Sequence, residues 1–316
     1  MKLATVTSDG RKVLAALLPD GKLVDISGAL QMNEAASAAA SAGDMLALIR
    51  SGALPAISAQ TLAEQPEIPA AAVQWLPPIE QPGKICCVAI NNRAFDKARI
   101  SGPEHPAFFL KSPTSLIGHE GDILLKEEYG LTHPEPELAV VIGDRLTEAT
   151  ALESMSAIFG YTILNDITSI RMRNEDHFHF NFDIPDGDGG FKVIEQHTSY
   201  AGRYKSADTF GPLGPVISTP DEIGDPNSLA MRCWLDDELV MSDNSASYRY
   251  GVADVLSFIS HYETLLPGDI VTLGTAVSGG SRDRPLASLD LREGVRNVRL
   301  EIEGIGILSN SVRIRA

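Results

Sequence analysis

The run Leu138-Ala139-Val140-Val141-Ile142, closed by Gly143, limits the folds open to this chain more than any other stretch. It is short, apolar and rich in β-branched side chains, which predicts a buried strand. The chain enters it through His133-Pro134-Glu135-Pro136-Glu137. Strand side chains alternate between two faces, so Glu135 and Glu137 share a side. Neighbouring carboxylates at the mouth of a buried strand repel, and burying them is costly unless a positive charge lies between them. A hard divalent cation would supply that charge. The same spacing also fits an edge strand whose start is solvated, with Pro136 blocking pairing.

The 316-residue chain is long enough for one large domain or two. With 44% hydrophobic and 22% charged residues it has the balance of a soluble globular protein. Lys plus Arg total 26 against 42 for Asp plus Glu, a formal charge of -16 that argues against a general nucleic-acid or anionic-membrane surface and for a small-molecule partner. Cys86, Cys87 and Cys233 show no CxxC spacing, so neither a disulfide framework nor a cysteine zinc site is expected, in keeping with a reducing compartment. The amino terminus alternates like a strand and lacks a signal-peptide core. No apolar run reaches membrane-spanning length, and a cytoplasmic location is expected.

Residues 1 to about 30, broken by Asp9-Gly10 and Asp20-Gly21, predict a small β-meander, and 34–50 predict one Ala-rich helix ending before Gly52. The proline-rich stretch 54–84 reads as a linker, which divides the chain into a small N-terminal domain over 1–80 and a main domain over 81–316. Strands are expected at 85–90, 107–110, 123–125, 138–143 and 158–167, then at 269–273, 298–302 and 306–314. Thr150 and Glu153 have capping-box spacing for a short helix. Val252, Val255, Leu256 and Ile259 place an amphipathic helix over 251–263. The segment 172–204, with His177 and His179 among four aromatics, reads as a long functional loop that has room for a hairpin.

Asp166 ends a strand-like run about thirty residues after the paired glutamates. Brought beside Glu135 and Glu137 it would complete an all-oxygen site suited to Mg²⁺ or Mn²⁺, leaving positions for water or a chelating 2-oxo acid. Taken alone, Asp166 better suits a helix N-cap or an Asx-turn. Lys205 offers a cation to the carboxylates or to developing enolate charge, although lysines are usually solvated. The turn and strand Leu266 to Thr275 end at Gly274-Thr275, whose backbone N–H groups and hydroxyl suit a substrate carboxylate.

Together these pieces resemble one family. Lys84-Ile85 to Ile90-Asn91, Phe108-Phe109-Leu110-Lys111-Ser112-Pro113, Ser115 to Gly118, Glu135-x-Glu137, Gly160-Tyr161-Thr162-x-x-Asn165-Asp166, Lys205-Ser206, Gly211 to Pro215 and Leu266-Pro267-Gly268-Asp269 to Gly274-Thr275 follow the order seen in the fumarylacetoacetate hydrolase family. The resemblance covers about 84–316. It implies a mixed α/β, mainly β fold, a mixed β-sandwich roll with a small N-terminal β/α domain, usually in a homodimer. It further implies that Glu135, Glu137 and Asp166 bind Mg²⁺ or Mn²⁺, that Lys205 contacts substrate or enolate, and that Thr275, with Gly274, holds the substrate carboxylate. Family chemistry on 2-oxo acids and acylpyruvates passes through an enol or enolate held on the metal.

The sequence departs from that pattern in several places. Where many members carry a water-activating His-x-x-Glu pair, this chain has Phe95 and Ala98. The position four after the metal aspartate, commonly arginine, is Ile170, and Arg171, one place later, becomes the substrate-binding candidate. Gly-Thr-Pro has become Gly274-Thr275-Ala276, and the wording Pro134-Glu135-Pro136-Glu137 looks closer to the sugar-acid dehydratase branch. For proton transfer the chain offers His119 with Glu120, then His105, His177 and His179, each of which also suits a plain turn or surface role. The leading expectation is hydrolytic C–C cleavage of an acylpyruvate-like 2,4-dioxo acid. A dehydratase or hydratase of a 2-keto-3-deoxy sugar acid or dienol, and a non-catalytic 2-oxo acid binding protein, are the alternatives.

Overall fold

The computed structural model describes residues 1–54, 57–277 and 288–315. Among them strands predominate, arranged as a 12-stranded and a five-stranded sheet plus two small two-stranded pairs. Pro136–Ile142 lies inside the large sheet, antiparallel both to Ile158–Asn165 and to Ile270–Thr275, and every one of its residues is buried. Its two faces explain the unbroken apolar run. Leu138, Val140 and Ile142 pack into the core that the large sheet shares with Met231, Leu300 and Leu308 of the five-stranded sheet. Ala139 and Val141 join two other clusters, Val141 alongside Leu48 and Ile49 of the N-terminal helices. A strand covered on both sides has no use for polar alternation.

The expected N-terminal meander forms as Lys2–Ser8, Arg11–Leu17 and Leu23–Asp25. It extends the large sheet through pairing of Lys2 and Leu3 with Ser218 and Ile217. The proline-rich stretch also contributes pairing, since Gln74–Trp75 lies against Lys2–Ser8. The single helix expected over 34–50 is instead two, Glu34–Ala42 and Met45–Arg50. Gly43 turns the chain with φ +61°, and Asp44 accepts from Ala47 N to cap the second helix. The capping box at Thr150 is present, and the amphipathic helix runs over Val252–Ser260. Among the described residues no helix is long and apolar enough to cross a membrane.

The segment 172–204 is ordered. Helix Ile170–Glu175 leads into an antiparallel hairpin, His177–Pro185 with Phe191–Ser199, and the chain returns through the short helix Arg203–Ser206. Among the described residues the hairpin pairs only with itself, and most of its side chains are exposed.

Candidate active site

Three neighbouring strand ends build the site. Glu137 lies in Pro136–Ile142 opposite Thr275, and Asp166 directly follows Ile158–Asn165. Glu135, one residue before its strand, is fixed by backbone bonds: its N–H donates to Asn165 Oδ1 at 2.9 Å, and its carbonyl accepts from Asp166 N at 2.9 Å. Glu135, Glu137 and Asp166 can thereby bring one carboxylate oxygen each within 4.8 Å of one another.

Two lysines face this cluster. Lys205 Nζ donates to Glu135 Oε2 at 2.9 Å and to Asp166 Oδ2 at 2.5 Å. Lys111, only 2% exposed, donates to Asp166 Oδ1 at 2.9 Å and also to the Lys205 carbonyl. Burial raises the Asp166 carboxyl pKa, but the ammonium groups of Lys111 and Lys205 outweigh it and hold the group below its ordinary range. Burial likewise disfavours the charged form of Lys205, yet Asp166, Glu135 and Glu137 keep its pKa above the usual lysine value. Glu137 differs from Asp166. Burial and repulsion from Asp166 push it well above the carboxylate range, and its Oε2 accepts a 3.2 Å bond from Gly274 N. With all three ionised, the carboxylates outnumber the two ammonium groups by one, and all the donors of the cluster are hard oxygens. That set fits Mg²⁺ or Mn²⁺, which Glu135, Glu137 and Asp166 would hold.

Above the carboxylates opens a cavity of about 510 Å³. Val88, Phe95, Ala98 and Phe109 make its apolar wall, and Arg99 and Arg173 supply cations. Thr275 lines it, with its hydroxyl donating to Ala276 O at 2.9 Å. Gly274 adopts φ +95°, and an added Cβ there would lie 3.1 Å from Asn91 Cβ. Its N–H is taken up by Glu137, so Gly274 fixes a carboxylate of the cluster.

Other expected residues lie elsewhere. His119 Nδ1 accepts from Ser309 N at 3.0 Å and its ring meets Trp75 edge-on, while Glu120 projects outward; neither lines the cavity. The plain turn role offered for His119 in the sequence is the one its contacts describe. Arg171 pairs with Glu175 at 3.0 Å on the exposed side of its helix. Ile170 and Arg173, one helical turn apart, line the cavity in its place. His105 stacks on Phe258, and His177 and His179 lie on the hairpin.

Sequence reasoning gave no role to Lys111, His133 or Thr168. Thr168 Oγ1 donates to Glu135 Oε1 at 2.6 Å, and His133 Nε2 lies 3.8 Å from the same oxygen. Burial lowers the His133 pKa against the pull of Glu135, which favours the neutral imidazole. One signal for Lys111 was visible: a lone cation closing the apolar run Ala107-Phe108-Phe109-Leu110.

Comparison with known proteins adds the family. Residues 84–313 match the family model described as Fumarylacetoacetate (FAA) hydrolase C-terminal. Oxaloacetate tautomerase Fahd2a, mitochondrial, of Rattus norvegicus is 30% identical over 253 residues, covering 79% of this chain and 72% of that protein. A 2,4-didehydro-3-deoxy-L-rhamnonate hydrolase of Sphingomonas sp. (strain SKA58) is 28% identical over 290 residues, covering 91% and 88%. Among solved structures, a fumarylacetoacetate hydrolase from psychrophilic Exiguobacterium antarcticum superimposes with TM-score 0.76 at 25% identity, both chains fully covered. Maleylpyruvate hydrolase from Sphingobium sp. SYK-6, in complex with manganese (II) ion and pyruvate, does so with TM-score 0.71 at 25% identity, again over the whole of both chains. The relatives so named are hydrolases and a tautomerase, enzymes in each case. With its model spanning 84–313 of 316 residues, this chain belongs to the fumarylacetoacetate hydrolase family.

Proposed function

We propose that this chain is a divalent-metal-dependent hydrolase that cleaves a C–C bond in an acylpyruvate-like 2,4-dioxo acid by way of the enolate. The observation that carries this reading is the convergence of Glu135, Glu137, Asp166, Lys205 and Thr275 on the floor of one cavity. Mg²⁺ or Mn²⁺ bound by the three carboxylates would withdraw electron density from a 2-oxo group and stabilise negative charge developing beside it. The carboxylates, two lysines and such an ion sum to one positive charge, which suits an anionic substrate. Lys205 Nζ is held at the cluster by Glu135 and Asp166, where it can meet charge developing on the substrate. Arg99 and Arg173 give a second anionic group a place to dock, and Val88, Phe95 and Phe109 keep bulk water from the reacting bond. The Sphingomonas hydrolase and the manganese–pyruvate complex of maleylpyruvate hydrolase support this reading.

One observation favours a second reading. Phe95 and Ala98 line the wall without a proton-transfer group, and the imidazole that the lining contains is the buried one of His133. A site of this kind also suits a reaction completed by proton transfer alone, such as tautomerisation of a 2-oxo acid or loss of a β-hydroxyl group. Incubating chelator-treated, Mg²⁺-reloaded protein with acylpyruvates and 2-keto-3-deoxy acids, and weighing the products, separates the two. Two fragments are expected for hydrolysis. A change of one water mass, or isomerisation without mass change, transfers the assignment to the second reading. Full turnover by the Glu135→Ala protein would sink both.

A further inference from the structure

The hairpin His177–Pro185/Phe191–Ser199 supplies no residue to the buried apolar clusters. Its two faces differ in chemistry. In the antiparallel register His179 faces His197, Asn181 faces Glu195 and His177 faces Ser199. Residues two apart on a strand share a face, so His-x-His on one strand and Glu-x-His on the other bring three imidazoles and a carboxylate together. Phe178, Phe180 and Phe182 fall on the opposite face.

The ligating atoms are close. His179, Glu195 and His197 can each bring one within 4.8 Å of the others. His179 Nε2 lies 2.5 Å and His197 Nε2 3.4 Å from the same Glu195 oxygen, Oε1. The His179 and His197 rings stack with centroids 4.0 Å apart, and His177 Nε2 is 3.2 Å from His197 Nδ1.

We infer that this face of the hairpin is a second metal site, for a borderline transition ion such as Zn²⁺, with His179, His197 and Glu195 as ligands. Two imidazoles with one carboxylate make a nitrogen-rich set that Zn²⁺ prefers and Mg²⁺ does not. The site is chemically distinct from the all-oxygen cluster of Glu135, Glu137 and Asp166, and it does not rest on the function proposed above. An ion there ties together two strands whose bases lead to Arg173 on one side and to Tyr204 and Lys205 on the other, all three of which line the cavity.

Bound zinc decides the matter. Chelator-treated Glu135→Ala protein, which lacks an intact carboxylate site, is dialysed with excess Mg²⁺ and micromolar Zn²⁺, and its zinc is counted by atomic emission. One Zn²⁺ per chain is expected, falling at least tenfold when His179→Ala and His197→Ala are added. Amide hydrogen exchange over 177–199 in the otherwise native chain is expected to slow when zinc is added and not when Mg²⁺ is. No residue of the hairpin belongs to the buried clusters, so the histidine substitutions leave the fold intact, as circular dichroism would verify. Equal zinc contents with and without the histidines, or exchange over 177–199 indifferent to zinc, would overturn the site.

Discussion

Glu137 is where the demand of this site for a cation is most exposed to measurement. Asp166 has two ammonium partners within 2.9 Å, whereas Glu137 has a backbone N–H and repulsion from Asp166. Its carboxyl, raised from the ordinary 4.5, keeps its proton to higher pH in the metal-free protein. A cation binds the ionised form, so binding expels that proton. Mg²⁺ affinity should therefore climb with pH from the ordinary carboxylate value up to the raised one and level off above it. Calorimetric titration in two buffers of different ionisation enthalpy should show up to one proton released per Mg²⁺. Identical heats in both buffers would contradict this account of Glu137. At the same scale, the carboxylates were legible in the sequence because two acids entering a buried strand are conspicuous. Lys111 was not, because its partner Asp166 is 55 residues away and only the folded sheet joins them. Arg171 and Arg173 show the limit more finely. A helix advances about 100° per residue, so being one position off the Ile170 face turns Arg171 to Glu175 and solvent.

At the scale of elements, the strands that carry the site were readable because they are apolar runs between turn residues. Gly211–Ser218 was harder to read as a strand, being glycine- and proline-rich, and Ala230–Leu235 and Glu238–Asn244 lack a clear apolar alternation. The helix expected over 34–50 divides because a side chain at Gly43 would come within 2.4 Å of the Lys12 carbonyl, a close approach made by a distant strand that local pattern does not contain. The hairpin for which 172–204 had room could not be placed within it for a different reason: both faces carry aromatic or polar groups, so alternation marks neither as buried. That composition leads to a prediction. His177 and Ser199 are partners across its base, so joining 177 to 199 through two glycines removes the arm without stretching the chain. With no residue of the arm in the buried clusters, urea unfolding compared at dilutions where both chains are monomeric should stay cooperative, and stability should change by less than about 1 kcal/mol. A loss of several kcal/mol would mean that the arm holds the fold together.

Over the whole molecule, surface area carries the argument. A compact monomer of 33.9 kDa exposes about 12,800 Å² by the usual scaling, while this chain exposes 14940 Å². One face of the hairpin and its base present apolar rings, with Phe178 55%, Phe182 46% and Tyr200 68% exposed and the Phe178 and Tyr200 ring centroids 6.1 Å apart. Contiguous apolar surface of this kind marks an interaction site more often than free surface, and aromatic side chains are enriched in interface cores. With a formal charge of -16, two copies repel at long range, so short-range apolar contact has to carry the association. The expected assembly is a homodimer joined through the hairpin. Light scattering on the eluting peak should give twice 33.9 kDa for the native chain and the mass of a single shortened chain, somewhat below 33.9 kDa, when 178–198 are replaced by two glycines. Added salt should strengthen the native dimer by screening the like charge. A native chain that elutes as a monomer at tens of micromolar would remove the dimer, and a truncated chain that stays dimeric would move the interface off the hairpin.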